Sequence, residues 1–456
     1  MLHYFTITNG RLGRILALSV GILLLAAGLV AYRMYAVRTD FYGLLAIWTP
    51  LVLGMLLVLS SGMRSGYSIA WGIGLRCLLL GALPLLSDDT YRFLWDGHLW
   101  NHGIHPFAYT PRTVLDTLHV PGITREWFLL LNSPDYHTVY PPLGQFLFRI
   151  AAFWANGNVE TGVLYLQFFI LTGEIATLWV LRQYLRQTNP EWTDRGVLLY
   201  AFNPLVIVET VGNGHFEGMM AGCMLATLLL LHQRRAAWSG VFWAAGVAVK
   251  LLPLLFLPLV IGWLGKQRAG RFLAGFIPAS LAFFLPLADL EVLRNMQSSV
   301  HLYFQKFEFN ASFYYLFSHV SPWFTGWYEG ATIGPVLAQI TVFVVLYLAF
   351  WLLRKTDRPV SDVQTALLIS STLYLLNATT VHPWYVIIPL VCSIGIASDF
   401  AVAWSVVVFF SYSHYIGGGR QEQFGWIALE YAVVIGLIIR TLYLSKGKVA
   451  NDFWLK

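Results

Sequence analysis

The sequence has little charge. Only 11% of its 456 residues are Asp, Glu, Lys or Arg, and 57% are hydrophobic, whereas a soluble domain carries about 25% charged residues. Long apolar runs recur along the whole chain, so the composition excludes a soluble enzyme and predicts a polytopic membrane protein. The net charge of +6 lies mostly in short loops, which indicates membrane topology and not nucleic-acid binding.

Cysteine is also scarce. The three cysteines, Cys77, Cys223 and Cys392, lie inside apolar segments. This excludes a disulfide framework and a CxxC metal site, and it predicts buried free thiols. A signal-peptide pattern is absent, because the first apolar run, Ile15–Ala31, has no small-residue cleavage site near its end. Internal repeats and low-complexity stretches are absent too, so we expect one integral-membrane domain over residues 1–456.

Apolar runs of span length predict an all-α fold with about 12 or 13 transmembrane helices. A span needs about 20 mainly apolar residues, and a long polar and aromatic segment separates the third candidate from the fourth. The candidates are Arg14–Ala31, Tyr42–Ser60, Ser68–Leu86, Thr161–Leu181, Gly196–Val211, Glu217–Leu231, Phe272–Leu287, Ile333–Leu353, Thr365–Leu376, Tyr385–Ala397, Val402–Tyr412 and Trp426–Leu444.

Lys and Arg in short loops predict the orientation. We place the basic loops and both chain ends in the cytoplasm; these loops hold Arg182–Arg195, Arg234–Arg235, Lys266–Arg271, Arg354–Arg358 and the C-terminal lysines. Counting spans then puts five polar segments on the opposite, non-cytoplasmic face: Ser87–Tyr140, Gly212–His215, Asp289–Thr332, Ala378–Trp384 and Gly417–Gly425. Residues 87–140 and 289–332 form the two large loops of this face.

Two apolar segments do not fit the simple count. Pro141–Trp154 is short and contains Arg149, so we expect a helix lying in the outer membrane interface. Gly240–Leu264 has basic residues at both ends and Lys250 in its middle. About 25 residues are too few to cross twice, which favours a re-entrant hairpin whose tip lines a cavity. A single kinked span with inverted later topology is the alternative.

Asp88 and Asp89 are the first candidates for chemistry. They directly follow an apolar run, and charge at the edge of a membrane is costly and usually functional. A carboxylate there can act as a general base that removes a proton from an attacking hydroxyl. Capping of a helix N-terminus by acidic residues is the structural alternative, and the two roles are compatible. We give Asp88 a slight preference as the base.

Further candidates surround this acidic pair. Arg92 lies one turn beyond Asp89 and can pair with a carboxylate on the same helix face or bind a phosphate. Tyr140 begins the proposed interfacial helix and can face the site. His215 and Glu217 are two positions apart in a glycine-rich turn at the outer face, where we expect them to bind substrate.

The remaining candidates lie later in the chain. Lys250 is an intramembrane cation, for which we expect a lipid-linked phosphate as partner; snorkelling or an internal ion pair is the alternative. Asn310 lies in an outer loop that interleaves polar and aromatic residues, including His301, Tyr303 and Lys306, as suits sugar binding. His382 can hydrogen-bond or neutralise a phosphate, although Trp384 and Tyr385 beside it also suit interface anchoring. Arg420 follows three glycines and is a weaker phosphate candidate.

Five motifs together resemble a known class. An early outer loop that opens with acidic residues and Tyr-Arg resembles the GT-C superfamily of membrane glycosyltransferases. The five motifs together are most similar to bacterial polyprenyl-phosphate-mannose-dependent mannosyltransferases. They are Ser-Asp-Asp-Thr-Tyr-Arg-Phe from Ser87, Tyr-Pro-Pro-Leu from Tyr140, Asn-Gly-His-Phe-Glu from Asn213, Val-Lys-Leu-Leu-Pro from Val249 and His-Pro-Trp-Tyr from His382.

The resemblance implies an inverting transfer of a hexose, first of all mannose, from a polyprenyl-monophosphate donor to a glycan, lipid or protein acceptor. It assigns the base to Asp88 or Asp89 and the outer-loop histidine to His382. No cofactor is implied, and a divalent metal is not required. A metal site formed by Asp88, Asp89 and His98 is an alternative that the sequence leaves open. In the family the acidic loop often follows the first span; here it follows the third, so two extra N-terminal spans are implied.

Two other classes share some of these features. A transporter of a sugar or lipid-linked saccharide is also polytopic, but its halves usually carry matching broken segments, and only one re-entrant candidate is present. A polymerase or ligase with lipid diphosphate donors typically has its large outer loop late in the chain, whereas the largest loop here is early. Neither class explains the acidic pair as directly as a glycosyltransferase.

Overall fold

The structure is a computed structural model that describes residues 10–289, 307–326, 330–354, 358–396 and 398–449, with Val292, Arg294, Asn295 and Ser299. In these residues the β pairing consists of one isolated bridge, and the all-α prediction is confirmed. Their α-helices of eight residues or more are α1 (Arg11–Tyr35), α2 (Phe41–Ser61), α3 (Ser65–Cys77), α4 (Asp89–Asn101), α5 (Pro142–Ala155), α6 (Val159–Thr188), α7 (Thr193–Ala201), α8 (Glu217–His232), α9 (Ala236–Val249), α10 (Leu252–Phe284), α11 (Phe313–Thr325), α12 (Gly330–Leu353), α13 (Val360–Asn377), α14 (Ile387–Gly395), α15 (Phe400–Val407) and α16 (Phe424–Val449).

The chain is a multi-pass membrane protein, but fewer long spans are present than the 12 or 13 predicted. Within the described residues six helical segments are long and apolar enough to cross a membrane, or seven if one bent pair counts as a span. The predicted span Thr365–Leu376 lies in the continuous 18-residue helix α13, and the other predicted spans lie in shorter or broken helices. The six are Arg11–Tyr35, Phe41–Ser61, Val159–Thr188, Gly330–Leu353, Phe400–Gly418 and Phe424–Tyr443.

The predicted third span ends early. Helix α3 stops at Cys77, and the backbone from there to the acidic pair is not helical, with φ of 74° at Gly81. The side chain of Gln167 on α6 holds this segment: its Nε2 donates to the carbonyl oxygens of Leu79 and Ala82, and its Oε1 accepts from Gly81. Irregular backbone at membrane depth persists only when protein groups satisfy it in this way.

The predicted span Gly196–Val211 is broken. Asn203 and Pro204 interrupt it after α7, and the Asn203 side chain accepts hydrogen bonds from the next backbone N–H groups. A π-helical turn, Val208–Gly212, follows. The chain then bends by 115° into α8. Such π-turns occur frequently at functional sites, and this one carries Glu209 to the end of the bundle where α8 begins.

The predicted hairpin of Gly240–Leu264 is present. Helix α9 and the first part of α10 meet at Lys250, whose backbone is extended, and α10 turns again at Gly265, where φ is 65°. Lys250 contacts Glu217 at the start of α8. At the opposite end Trp263 Nε1 donates to the carbonyl oxygen of Pro359, 3.1 Å away. Both arms therefore run between the same two ends of the bundle.

Helix α5 covers the segment for which an interfacial helix is predicted. It has 14 residues, which is too short to span a membrane. One face is buried against α4, and the other exposes Phe146, Phe153 and Trp154. The two helices touch backbone to backbone: a Cβ added to Gly97 would lie 2.2 Å from the carbonyl oxygen of Phe148. Glycine at this position allows the helix that begins at Asp89 to dock closely on α5.

The three cysteines are unpaired, as expected. Their predicted burial is correct only for Cys392; Cys223 is partly exposed and Cys77 is exposed.

A buried ion pair lies deeper in the bundle. Arg76 on α3 donates through Nε and Nη2 to Glu174 on α6, at 3.1 and 2.9 Å, and both side chains are fully buried.

Candidate active site

Described residues of all five polar segments predicted to share a face meet at one end of the bundle, where Glu422 of the fifth segment accepts a hydrogen bond from Asn310 N at 3.4 Å. The loop that carries Phe309 pairs with the loop before His382: Val381 N donates to the carbonyl oxygen of Phe309 (2.8 Å), and the Phe309 and His382 rings are 5.0 Å apart. His215 lies 3.8 Å from Asp89. Arg182, from one of the basic loops, donates a hydrogen bond to Ser65 Oγ at the opposite end of the bundle. This basic loop and the polar segments therefore lie at different ends, as predicted.

Asp88 and Asp89 have different surroundings. Asp88 precedes α4 and pairs with Arg38, whose Nη1 is 3.0 Å from Oδ2. Asp89 accepts a hydrogen bond from Asn132 Nδ2 at 2.7 Å, and its Oδ2 faces His215. Among the described residues no Lys or Arg pairs with Asp89. The pair therefore consists of one neutralised carboxylate and one that faces the cluster of histidines.

His215 and His382 lie on opposite faces of the Trp384 ring. The ring centroids are 3.6 Å apart for His215 and Trp384, and 4.4 Å apart for His382 and Trp384. Trp384 is 7% exposed, so it is a structural part of the site and does not anchor the protein in the interface. This stack joins the two histidines that the sequence places 167 residues apart.

Burial lowers the pKa of His382 to about 3; nearby Asp89 raises this pKa, while His215, Lys250 and His414 lower it. The imidazole is therefore neutral near pH 7. It offers a phosphate a hydrogen bond and not the neutralising charge that the sequence also allowed.

Lys250 pairs with a protein carboxylate. Its Nζ contacts Oε1 of Glu217 and lies 5.6 Å from the centre of the Tyr385 ring. Of the roles that the sequence allowed for Lys250, the structure shows the internal ion pair. The second oxygen of Glu217, Oε2, is buried and has no hydrogen-bond partner among the described residues. The Lys250 side chain is one-fifth exposed, so its ammonium group remains accessible.

Asn310 fixes the second outer loop. Its Nδ2 donates to both carboxylate oxygens of Glu430 on α16, at 3.3 and 3.1 Å, and its backbone oxygen accepts from Tyr431 at 2.7 Å. The residue is fully buried with φ of 49°. Its amide nitrogen is thus engaged in holding the loop that contacts His382, and the expected direct binding of substrate is not supported by this geometry.

Two candidates lie outside the cluster. Tyr140 packs in an aromatic group with Phe93 and Phe148, with centroid distances of 4.6 and 5.8 Å. Arg92 is buried and pairs with Asp96, 2.8 Å away, and not with Asp89. Its Nη atoms donate to the carbonyl oxygens of Ser133 and Tyr136, both at 3.1 Å. All three groups of the guanidinium are occupied, which contradicts a phosphate-binding role for Arg92.

We expect Arg92→Met to lower the thermal unfolding midpoint and to leave the KM for a lipid donor within about twofold. The substitution leaves Asp96 without its cation and releases two loop carbonyls, and loss of one partner of a buried pair is strongly destabilising. Arg92→Lys keeps the charge but not the fork geometry, so an intermediate midpoint is expected. If Arg92→Met raises the KM for the donor and leaves the unfolding midpoint unchanged, Arg92 binds the donor phosphate after all.

Arg38 is a residue of this cluster that sequence reasoning missed. It lies between α1 and α2, pairs with Asp88, and its guanidinium is 4.9 Å from the centre of the Tyr415 ring. Arg420 is exposed and, like Arg38, lies within electrostatic range of Tyr415. The two N-terminal helices therefore contribute a cation to the site. The sequence does contain a signal for Arg38: it is a single Arg in a short loop that the span count places on the face opposite to the basic loops.

Glu209 is the second missed residue. It is fully buried, and its carboxylate contacts Tyr412, Asn213 and His215. The sequence does contain the signal, because a carboxylate inside a predicted span is by default a functional hypothesis.

The proposed alternative of a metal at Asp88, Asp89 and His98 finds no matching cluster. His98 Nε2 lies 2.7 Å from the carbonyl oxygen of Pro121. Among the described residues no group of three or more His, Cys, Asp or Glu side chains has metal-binding geometry. The outer-loop residues His301, Tyr303 and Lys306 lie outside the described residues, as do Lys355 and Lys456 of the basic loops.

The helical membrane fold and the acidic pair at the start of a loop helix agree with the motifs that resemble the GT-C class of membrane glycosyltransferases. Residues 2–266 match the sequence profile of the family described as alpha-(1->6)-mannopyranosyltransferase, N-terminal domain. This match covers more than half of the chain, and the chain belongs to that family.

Curated relatives carry the same description. The chain is 27% identical over 226 residues to alpha-(1->6)-mannopyranosyltransferase A of Mycobacterium tuberculosis, an alignment that covers 47% of this chain and 39% of the relative. It is 27% identical over 201 residues to the protein of that name from Corynebacterium glutamicum, covering 43% of this chain and 38% of the relative. The alignments thus span about two fifths of the length of these relatives.

Proposed function

We propose that the protein transfers mannose from a polyprenyl-monophosphate donor to a hydroxyl of a glycan, lipid or protein acceptor, with inversion at the anomeric carbon. The observation that carries this proposal is Asp89. It is a carboxylate at the mouth of the bundle, oriented by Asn132 and without a cationic partner among the described residues. The names of the relatives support mannose as the sugar.

Asp89 is the better candidate for the general base. A base must be free to accept a proton from the acceptor hydroxyl. Asp88 is engaged in the pair with Arg38, whereas Asp89 faces the histidine cluster and has no Lys or Arg partner among the described residues. Attack of the activated hydroxyl on the anomeric carbon in one step inverts its configuration. An α-linked product then requires a β-linked donor.

Three cations supply charge for the donor phosphate: Arg38, Lys250 and Arg420. As the bond to the sugar breaks, the phosphate gains negative charge, and fixed cations and hydrogen-bond donors at that position stabilise the transition state. The neutral His382 adds a hydrogen bond. We propose that the lipid tail lies between helices and that the site opens to the non-cytoplasmic face, which the basic loops at the opposite end support. Both termini are then cytoplasmic.

The purified protein in phospholipid vesicles is expected to consume polyprenyl-phosphate-mannose and to mannosylate a soluble mannoside acceptor. We expect EDTA to change the rate by less than about twofold, because the donor carries one phosphate, which the protein cations can stabilise without a metal. Product formation is followed by mass spectrometry, and the anomeric configuration by NMR.

Polyprenyl-phosphate-glucose and a polyprenyl-diphosphate sugar are the matched donors. Preference for either would contradict the proposed substrate. Uptake of sugar into the vesicles without consumption of lipid donor would instead indicate a transporter.

A further inference from the structure

Glu209 forms a buried network that ends at the proposed base. Its Oε1 accepts a hydrogen bond from the Tyr412 hydroxyl at 2.6 Å, and its Oε2 accepts from Asn213 Nδ2 at 3.1 Å. His215 Nδ1 lies 3.3 Å from Oε2 and 3.0 Å from the Glu209 carbonyl oxygen. Among the described residues no Lys or Arg contacts this carboxylate. The histidine is therefore its available cationic partner.

The contacts of His215 fix its tautomer and its orientation. Two acceptors, both belonging to Glu209, face Nδ1, so we assign the ring proton to that nitrogen. Nε2 is then an acceptor; it lies 3.1 Å from Ser87 Oγ and 3.8 Å from Asp89 Oδ2. Stacking on Trp384 keeps the ring in this plane. The histidine thus presents a basic nitrogen to Asp89 and its N–H to Glu209.

We propose that Asp89, His215 and Glu209 form a proton relay that resets the catalytic base after each transfer. In the transfer step the acceptor O–H bond breaks and its proton goes to Asp89, while the new sugar–oxygen bond forms and the phosphate leaves with the electron pair of the old one. The proton then moves from Asp89 to His215 Nε2, which leaves Asp89 ionised while the product departs. This proton reaches water through the partly exposed Asp89 carboxyl once the site is empty, because the His215 side chain itself is buried. Asp89 is an ionised carboxylate again for the next turnover.

In this relay Glu209 is a positioning residue. It does not touch substrate; it holds the tautomer of His215 and stabilises the imidazolium that forms when Nε2 takes the proton. This is the arrangement of a carboxylate behind a histidine that hydrolases with a Ser-His-Asp triad use. Tyr412 and Asn213 orient the carboxylate in turn. The proposal rests on the glycosyltransferase function proposed above.

The test is the variant Glu209→Gln, which keeps the shape of the side chain and removes its charge. We expect kcat to fall about 10- to 100-fold, the loss seen when carboxylates that orient metal-bound histidines are removed, and the donor KM to stay within about twofold. The acid limb of the kcat–pH profile should move to lower pH, because His215 loses the anion that stabilises its protonated form. The titratable groups that face His215 are Asp89, Glu209 and, across Trp384, His382.

Glu430→Gln is the matched control, since it makes the same side-chain change at another buried position that does not contact His215; it should keep the acid limb of the wild type. Should Glu209→Gln fold poorly, His215→Ala with added imidazole replaces it, and partial recovery of kcat is expected. An unshifted acid limb with kcat within twofold of wild type, or no recovery by imidazole, contradicts the relay alone. A wild type without any transfer contradicts both the relay and the proposed function.

Discussion

Replacement of Asp89 by Asn is expected to reduce mannosyl transfer by about 10²- to 10⁴-fold, the contribution typical of a general base. Asn has the same shape and can still accept a hydrogen bond from Asn132, but it takes no proton from the acceptor. The measurement is single-turnover transfer from a labelled donor in vesicles, because this isolates the chemical step from product release.

Asp88→Asn is the matched control, one residue away and with the same change in charge. Its expected loss is smaller, about tenfold, because it frees Arg38 from an ion pair and does not remove the base. Donor binding should persist in both variants. The assignment of Asp89 is wrong if Asp88→Asn shows the larger loss in the chemical step, and both assignments are wrong if the two variants turn over at the wild-type rate.

The variant Arg76→Met is expected to lower the free energy of unfolding by about 3–5 kcal/mol, the cost of breaking a buried ion pair by removing one partner. The substitution leaves the Glu174 carboxylate buried without its cation; its Oε1 still accepts from Tyr200 at 2.9 Å. The double variant Arg76→Met with Glu174→Gln removes the uncompensated charge and should regain most of the loss. Unfolding in mixed micelles titrated with a denaturing detergent measures both.

Arg112→Met provides a contrast on the surface. Arg112 pairs with Asp135, but both side chains are more than half exposed, and exposed pairs contribute little to stability. Its unfolding curve should overlay that of the wild type. If Arg76→Met also overlays the wild type, the buried pair does not stabilise the bundle. If the double variant is no better than the single one, the destabilisation comes from lost packing.

Much of the site was predictable because its residues combine two local signals, polarity and a position at the end of an apolar run. Asp89, His215 and His382 were found in this way. Arg92 shows where the argument fails: a helix presents two carboxylates to an arginine, one turn before and one turn after it, and sequence spacing does not choose between Asp89 and Asp96. The tertiary structure makes that choice: Arg92 Nε donates to Asp96, and its Nη atoms donate to the loop carbonyls of Ser133 and Tyr136.

The predicted third span is shorter than expected for a related physical reason. Hydropathy measures how apolar a segment is, whereas a helix also needs continuous backbone hydrogen bonding. Ser68–Leu86 is apolar except for Arg76, yet Gln167 supplies side-chain partners that let the backbone leave the helix after Cys77. Gln167 is 85 residues or more away in sequence from the groups it bonds, so no local sequence pattern predicts the contact.

The sequence by itself determined the membrane class, the order of the polar segments and their placement on one side, because apolar length and basic loops depend only on composition along the chain. Only the tertiary structure decided which carboxylate is neutralised, that Lys250 pairs with Glu217, and that Glu209 stands behind His215. Tyr412 and Glu209 are 203 residues apart. Contacts of that separation arise from how helices pack, and they decide which charged groups are paired at the site.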